Sequence, residues 1–362
     1  MQFADLGAQF RAYENELRGE MDKVFASSAY INGPAVGELE EQLADFCGAS
    51  HAIACASGTD ALLLGLMAKD VQPGDEILVP AFTFIATASM VSFYRAVPIF
   101  VDVDPVTFNM NPDCLEAKIT SRTKGIIPVS LYGQCPDMTR INAVAKKHGL
   151  WVMEDAAQSF GSTSPAGKSC AMSEMATTSF FPAKPLGGFG DGGAIFTSDD
   201  VLAQRLRVLR NHGQIKRYHH AEIGINGRMD TLQAAVLKVK LAHFAEEIDL
   251  RNQAAARYDA LLEGVAERPV LAEGYSSTWA QYTVRVSRRD EVREQLAKAG
   301  IPSAVHYPVP LARQEAFASL NQDGGYPVSD DLSSRVLSLP MHAFITAEEQ
   351  ETVVQALKDA LA

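Results

Sequence analysis

Between residues 51 and 197, short apolar runs alternate with longer amphipathic ones, and this alternation constrains the fold class more tightly than any single motif. The runs at 51–56, 77–80, 99–103, 125–129, 150–154, 177–181 and 194–197 read as strands buried on both faces. Between several of them, residues 59–69, 83–94 and 138–148 are amphipathic and read as helices. Buried strands separated by helices predict an α/β unit with a mostly parallel central sheet. Gly33-Pro34 predicts the start of an earlier helix, because proline suits a first helical turn.

After Asp230 the texture changes. Residues 231–262, rich in Ala, Leu, Gln and Glu, read as one or two long helices. From about residue 280 a smaller α/β segment follows, with a strand at 281–286, a helix at 289–299, proline-rich loops and a last helix at 346–361. A chain of 362 residues exceeds one ordinary domain. Two are expected: a large one over 1–240 and a smaller C-terminal one over 241–362.

The net charge of −12 argues against nucleic acid as a partner, since phosphate affinity comes from clustered Lys and Arg. A small anionic ligand is compatible with it, because a helix N-terminus and a few local cations suffice. No basic leader opens the sequence, and no window approaches the roughly 18 unbroken apolar residues of a membrane span. The five cysteines are scattered without CxxC spacing, which favours reduced thiols in a cytoplasmic protein over a disulfide scaffold or a zinc site. His219-His220 is the one adjacent histidine pair, with no ligand-spaced carboxylate or cysteine, so no metal is expected.

The chemistry gathers around Lys184. It follows the run 177–181 and precedes the glycine-dense stretch Gly187-Gly188-Phe189-Gly190-Asp191-Gly192-Gly193, where backbone can approach a ligand closely. Upstream, Asp155 and Gln158 follow the strand 150–154, at the carboxyl end where open α/β sheets bind ligands. An amine able to form a Schiff base, with an acid to hold a pyridinium nitrogen, is what pyridoxal 5′-phosphate (PLP) chemistry needs. Ser57-Gly58-Thr59 starts a helix after the strand 51–56 and offers an anion site of backbone N–H groups. Taken singly, each has a plainer explanation: an N-cap, a buried structural carboxylate, a loop amide. Their order along one sheet favours the cofactor.

Two nucleotide motifs compete and fail. Gly188–Gly193 fits G-x-G-x-x-G, yet it lacks a strand immediately before it and is followed by another strand rather than a helix. In Gly161–Ser169 five residues separate the glycines where a P-loop has four. The segments around Arg210 and Lys216-Arg217-Tyr218-His219-His220 are the densest cations in an acidic chain, either a solvated loop or a site for an anionic substrate.

These residues together resemble the DegT/DnrJ/EryC1/StrS family of sugar-nucleotide aminotransferases, which have the fold type I (aspartate aminotransferase-like) architecture. The resemblance runs nearly end to end, from Tyr30-Ile31-Asn32-Gly33-Pro34 through Pro80–Thr87 and Glu154–Gln158 to Ser338-Leu339-Pro340-Met341. Its most specific parts are Ser179–Lys184, Gly190–Ala194 and Arg228–Ala235.

It implies that Lys184 forms the Schiff base, that Asp155 pairs with the pyridinium and that Gln158 contacts the ring oxygen. Phe84 would stack on the ring, with Phe82 the fallback, and Gly58, Thr59 and Ser179 would hold the phosphate. Asn226 would reach the phosphate from the partner of an obligate homodimer with shared active sites. Arg228, His306 and Tyr307 are implied to line the substrate pocket from the partner chain.

Pro185 stands where the family usually has Asn after the lysine. With Pro128–Gln134 and Tyr218-His219-His220, it makes the chain look most like the branch that aminates C3 of UDP-2-acetamido-2-deoxy-3-keto-glucuronic acid for surface polysaccharide (O-antigen). L-glutamate is the implied donor; a 4-keto-6-deoxy or other 3-keto sugar nucleotide is the alternative substrate. Lys184 would need a lowered pKa to work as a base. A dehydratase on the same scaffold is disfavoured because that branch typically has histidine at the lysine position. A non-catalytic PLP- or sugar-nucleotide-binding regulator would be expected to carry an added interaction module.

Overall fold

Seven strands build the central sheet, in the spatial order His51–Cys55, Gly193–Thr197, Met175–Ser179, Trp151–Asp155, Thr123–Ile126, Glu76–Pro80, Val97–Val101. Only Gly193–Thr197 runs antiparallel to its neighbours; the other pairings are parallel. The protein is described here by a computed structural model, which covers residues 1–320, 322 and 324–362.

Successive side chains of a strand point to opposite faces, and both faces are covered. Ile53 and Ile195 pack with Leu62, Leu66, Phe100 and Leu206 on one side. Ala52, Ala54, Ala194 and Phe196 pack with Leu39, Leu43, Phe160 and Leu237 on the other. Truncating a fully buried member such as Leu39 to Ala would cost about 2–5 kcal/mol.

Local chemistry sets the helix ends. Pro34 occupies the first turn of Pro34–Cys47. Asp137 caps Met138–His148, whose last turn carries Lys146, Lys147 and His148 and which stops at Gly149 in the left-handed region, φ 66°. Thr346 and Glu349 form a reciprocal capping box on Ala347–Leu361.

The region 231–262 is two helices, Thr231–Ala242 and Phe244–Leu261, broken at His243. The second one contributes Ala254 and Tyr258 to a separate core with Tyr282, Val292, Leu337, Leu339 and Val353. Its small sheet pairs Tyr282–Arg285 with Val336–Leu339, antiparallel. Leu311, Phe317 and Tyr326 turn back and pack against the large sheet's core.

Several expectations shift, and the strands expected at 99–103 and 177–181 are Val97–Val101 and Met175–Ser179. Residues 83–85 are not helical, and the helix is Ala86–Phe93, because Phe82 and Thr83 are buried at the strand's end before the chain turns. The strand expected at 125–129 is Thr123–Ile126, continued only by a single bridge from Val129 to Asp155. Leu6–Ser27, capped by Asp5, is a helix with no counterpart among the expectations. Among the described residues no helix is long and apolar enough to cross a membrane.

Candidate active site

The sheet delivers its polar groups at the carboxyl ends of its strands. Asp155 is the last residue of Trp151–Asp155 and is buried. Its Oδ2 accepts from the Thr87 hydroxyl at 2.7 Å and its Oδ1 from the Ala157 N–H at 3.2 Å. Burial pushes the carboxyl up, while Thr87, the Ala157 N–H and the Lys184 amine each pull it back.

Lys184 faces the same space from the turn after Met175–Ser179. Its backbone N–H bonds Phe181 O at 2.8 Å, and Gly188 N–H bonds Phe180 O at 2.8 Å. A Cβ on Gly187 would lie 2.3 Å from Pro182 O, so this turn closes only with glycine there. From beneath, Lys240 Nζ donates to Gly187 O at 2.7 Å and clamps the loop. Burial lowers the Lys184 amine's affinity for a proton, against the pull of Asp155.

Across the cavity begins the helix Gly58–Ala68. The Ser57 hydroxyl takes the Asp60 N–H at 3.0 Å, and the first N–H groups, at Gly58 and Thr59, have no partner within the helix. Gly58 presses against Ser179, where a Cβ would sit 2.7 Å from the Ser179 Cβ. The result is a tight polar cradle of backbone N–H groups with the Ser179 hydroxyl beside it.

A cavity of about 490 Å³ joins these parts, lined by Gly58, Thr59, Phe84, Asp155, Gln158, Ser179, Lys184, His306 and Tyr307. Phe84 is 52% exposed at its edge, its ring 6.0 Å from that of Tyr307. Phe82 is buried with Phe108 and Tyr132 and does not line the cavity. Gln158 Oε1 accepts from the Tyr132 backbone N–H at 2.8 Å, which orients the amide so that Nε2 donates to Tyr307 Oη at 3.2 Å.

His306 and Tyr307 were expected from a partner chain, yet they line the cavity of their own chain. The segment carrying them returns from the small sheet, where Ala304 bridges to Ser338. Asn226 and Arg228 do not line this cavity. Asn226 is exposed and bridges to Asn211, whose Oδ1 accepts from Arg228 Nη1 at 2.7 Å.

Thr87, Asp191 and Gln281 also belong to the site and were given no role by the sequence. Thr87 closes the Pro80–Thr87 motif, so its signal was present without its partner. Gln281 had no signal; its Oε1 is buried at the cavity wall without a partner among the described residues. Among the described residues no group of three or more His, Cys, Asp and Glu side chains could hold a metal ion.

A cavity with a buried amine, a buried carboxylate held by two donors, a phosphate-sized cradle a Cβ would fill and an edge aromatic fits a PLP molecule group for group.

The DegT/DnrJ/EryC1/StrS aminotransferase family matches residues 12–358. The UDP-2-acetamido-2-deoxy-3-oxo-D-glucuronate aminotransferase of Pseudomonas aeruginosa is 49% identical, covering 99% of both chains. The crystal structure of a DegT DnrJ EryC1 StrS aminotransferase from Brucella abortus is 44% identical, with a TM-score of 0.97 and 100% of each chain covered. NtdA from Bacillus subtilis, solved with bound cofactor PMP, is 31% identical with a TM-score of 0.89, covering 97% of this chain and 82% of its own.

Proposed function

The chain belongs to the DegT/DnrJ/EryC1/StrS aminotransferase family, and from that premise we propose that it moves an amino group from L-glutamate to C3 of UDP-2-acetamido-2-deoxy-3-keto-glucuronic acid. The observation that carries this reading is the Lys184 amine, its proton affinity lowered by burial, sharing one cavity with Asp155 and an anion-binding helix start. Full-length similarity to the Pseudomonas enzyme supports the substrate. The product would serve a surface polysaccharide such as O-antigen, and the work would be done in the cytoplasm. The unpaired state of all five cysteines is compatible with that compartment.

Its cofactor is PLP, which when bound carries the amino group between the two substrates and accepts the electrons left when a proton leaves the reacting carbon. Lys184 would hold the cofactor at rest. When not holding the cofactor, its Nζ would act as the base that accepts the proton leaving the donor's reacting carbon and would deliver a proton to the acceptor's reacting carbon, for which it must be neutral. The Asp155 carboxylate, kept in place by Thr87 and the Ala157 N–H, would hold a proton on the ring nitrogen. Gly58, Thr59 and Ser179 would bind the phosphate, Phe84 would cover the ring, and Gln158 would sit by its oxygen with Tyr307. His306 and Tyr307 would contact the sugar nucleotide.

The active form would be a homodimer with shared sites, Asn226 reaching the partner's phosphate and Arg228 the partner's substrate carboxylate. Exposed apolar side chains at Tyr30, Ile31, Phe181, Ile215 and Ile223 supply surface for such a contact.

The test incubates protein, PLP and glutamate with a panel of keto-sugar nucleotides and follows visible absorbance. A 3-keto uronate should discharge the aminated cofactor fastest. Faster discharge by a 4-keto deoxysugar overturns the substrate, and no visible cofactor band overturns the enzyme. Mixing Lys184→Ala with Arg228→Ala protomers should restore activity if sites are shared.

A further inference from the structure

The glycine-dense stretch 187–193 and the motif Arg228–Ala235 meet in the structure, and neither meeting partner has a task in the scheme above. The backbone of Phe180 closes a loop: its N–H donates to Gly192 O at 2.8 Å, and its carbonyl accepts from Gly188 N–H at 2.8 Å. Lys184 lies near the start of that loop and Asp191 near its end, and both line the cavity. The helix Thr231–Ala242 meets the same loop with Gln233 and Lys240, which stand about two turns apart and so share a face.

Each of the two grips one polar group of the loop backbone. Phe189 N–H donates to Gln233 Oε1 at 2.8 Å, and Lys240 Nζ donates to Gly187 O at 2.7 Å. Lys240 Nζ also stands 4.6 Å from the centre of the Phe189 ring, within cation–π reach. Lys240 is 2% exposed, and an ammonium that deep is costly unless it is paired. Burial brings it down to about 8, against the pull of Glu247, so it stays largely charged at neutral pH. The glycines fit the same contact. A Cβ on Gly188 would come within 2.8 Å of Gln233 Oε1, and one on Gly190 within 2.9 Å of Gln233 Nε2. A side chain at either position would push the amide off the Phe189 N–H.

We propose that Gln233 and Lys240 are positioning residues for the Lys184 amine: by fixing Gly187 and Phe189 they hold the loop so that Lys184 and Asp191 stay turned into the cavity. Neither side chain lines the cavity itself, so each acts through the backbone. The glycines that mimic a dinucleotide fingerprint are then spaced to admit a glutamine rather than a phosphate. The clamp stands on geometry alone; its effect on rate rests on the role proposed above for Lys184.

Hydrogen exchange of the full-length apoprotein, read by mass spectrometry across residues 185–193, measures the clamp without the cofactor. Gln233→Met keeps the length but removes the acceptor, and exchange at Phe189 should quicken about tenfold. Gln233→Glu keeps an acceptor oxygen and should exchange like the wild type. In the loaded enzyme, Gln233→Met should lower the saturated rate of the glutamate half-reaction about tenfold or more, with a smaller change in KM for glutamate. Gln233→Glu should restore that rate, and Gly190→Ala should behave as Gln233→Met does.

Fast exchange at Phe189 with an undiminished rate overturns the positioning, and so does a Gln233→Glu enzyme as slow as Gln233→Met. Unaltered exchange in Gln233→Met overturns the clamp itself. Lys240→Met orphans the buried Gly187 carbonyl and should slow the half-reaction too. If that variant fails to fold, the Gln233 pair decides. A wild type with no visible cofactor band sinks the proposed function and this effect on rate together. A working wild type with a full-rate Gln233→Met sinks only the positioning.

Discussion

The Thr87 hydroxyl donates to Asp155 Oδ2 at 2.7 Å, joining the helix after Glu76–Pro80 to the end of the central strand. A carboxyl this deep would otherwise favour its neutral form, which could not hold a proton on a ring nitrogen. Removing the donor therefore moves the Asp155 pKa up. Thr87→Val should lower kcat/KM about tenfold, with the deficit growing as pH falls, and Thr87→Ser should recover it. Asp155→Asn should cost roughly 10²-fold or more. A pH–rate profile of Thr87→Val superimposable on wild type would show that the hydroxyl does not tune the acid.

Lys184 has its proton affinity lowered by burial. The neutral amine is the working form, so the rate of the glutamate half-reaction should rise with pH and level off below the ordinary lysine value of about 10.4. Stopped-flow absorbance across a pH series measures it. A rate still climbing at that value would mean the amine is as basic as one in water. Lys184→Ala should lose the pH dependence together with at least about 10²-fold of the rate.

The strands of the large sheet were legible because they are buried on both faces, so their apolar runs are unbroken. Asp155 and Lys184 were legible because each follows such a run directly. The placement of His306 and Tyr307 was not: a strand pairing, Tyr282–Arg285 with Val336–Leu339, folds their loop onto the chain's own cavity. Nothing local in the sequence encodes that return. Thr87 illustrates the same limit, since its partner lies two strands away. Leu6–Ser27 was missed because its buried residues, Gln9, Tyr13, Leu17 and Val24, include a polar one and skip a turn.

Gly58 and Ser179 are in contact across the proposed phosphate cradle, and a Cβ on Gly58 would come within 2.7 Å of Ser179 Cβ. Gly58→Ala should cost about 1–3 kcal/mol of stability by overpacking. It should also weaken PLP binding, read by absorbance titration of the apoprotein. Adding Ser179→Gly makes room for the methyl, so the double variant should regain stability without regaining affinity, because the Ser179 hydroxyl is gone. Full recovery of affinity would remove Ser179 from the phosphate site.

His306 makes acid stability a probe of the same site. Its imidazole has a pKa of about 4 in the folded protein, against about 6.5 when unfolded. The unfolded chain therefore binds the proton more readily. The stability that the neutral ring confers is complete above about pH 6.5 and is lost as pH falls toward 4. The difference corresponds to at most about 3 kcal/mol. Urea midpoints measured through that window should fall steadily for wild type and less steeply for His306→Gln, whose amide takes no proton there. His342, also buried and also lowered, titrates in the same direction, so His342→Gln is the necessary control. If His306→Gln follows the wild-type slope while His342→Gln flattens it, the acid sensitivity belongs to the junction beside Arg251 rather than to the cavity wall.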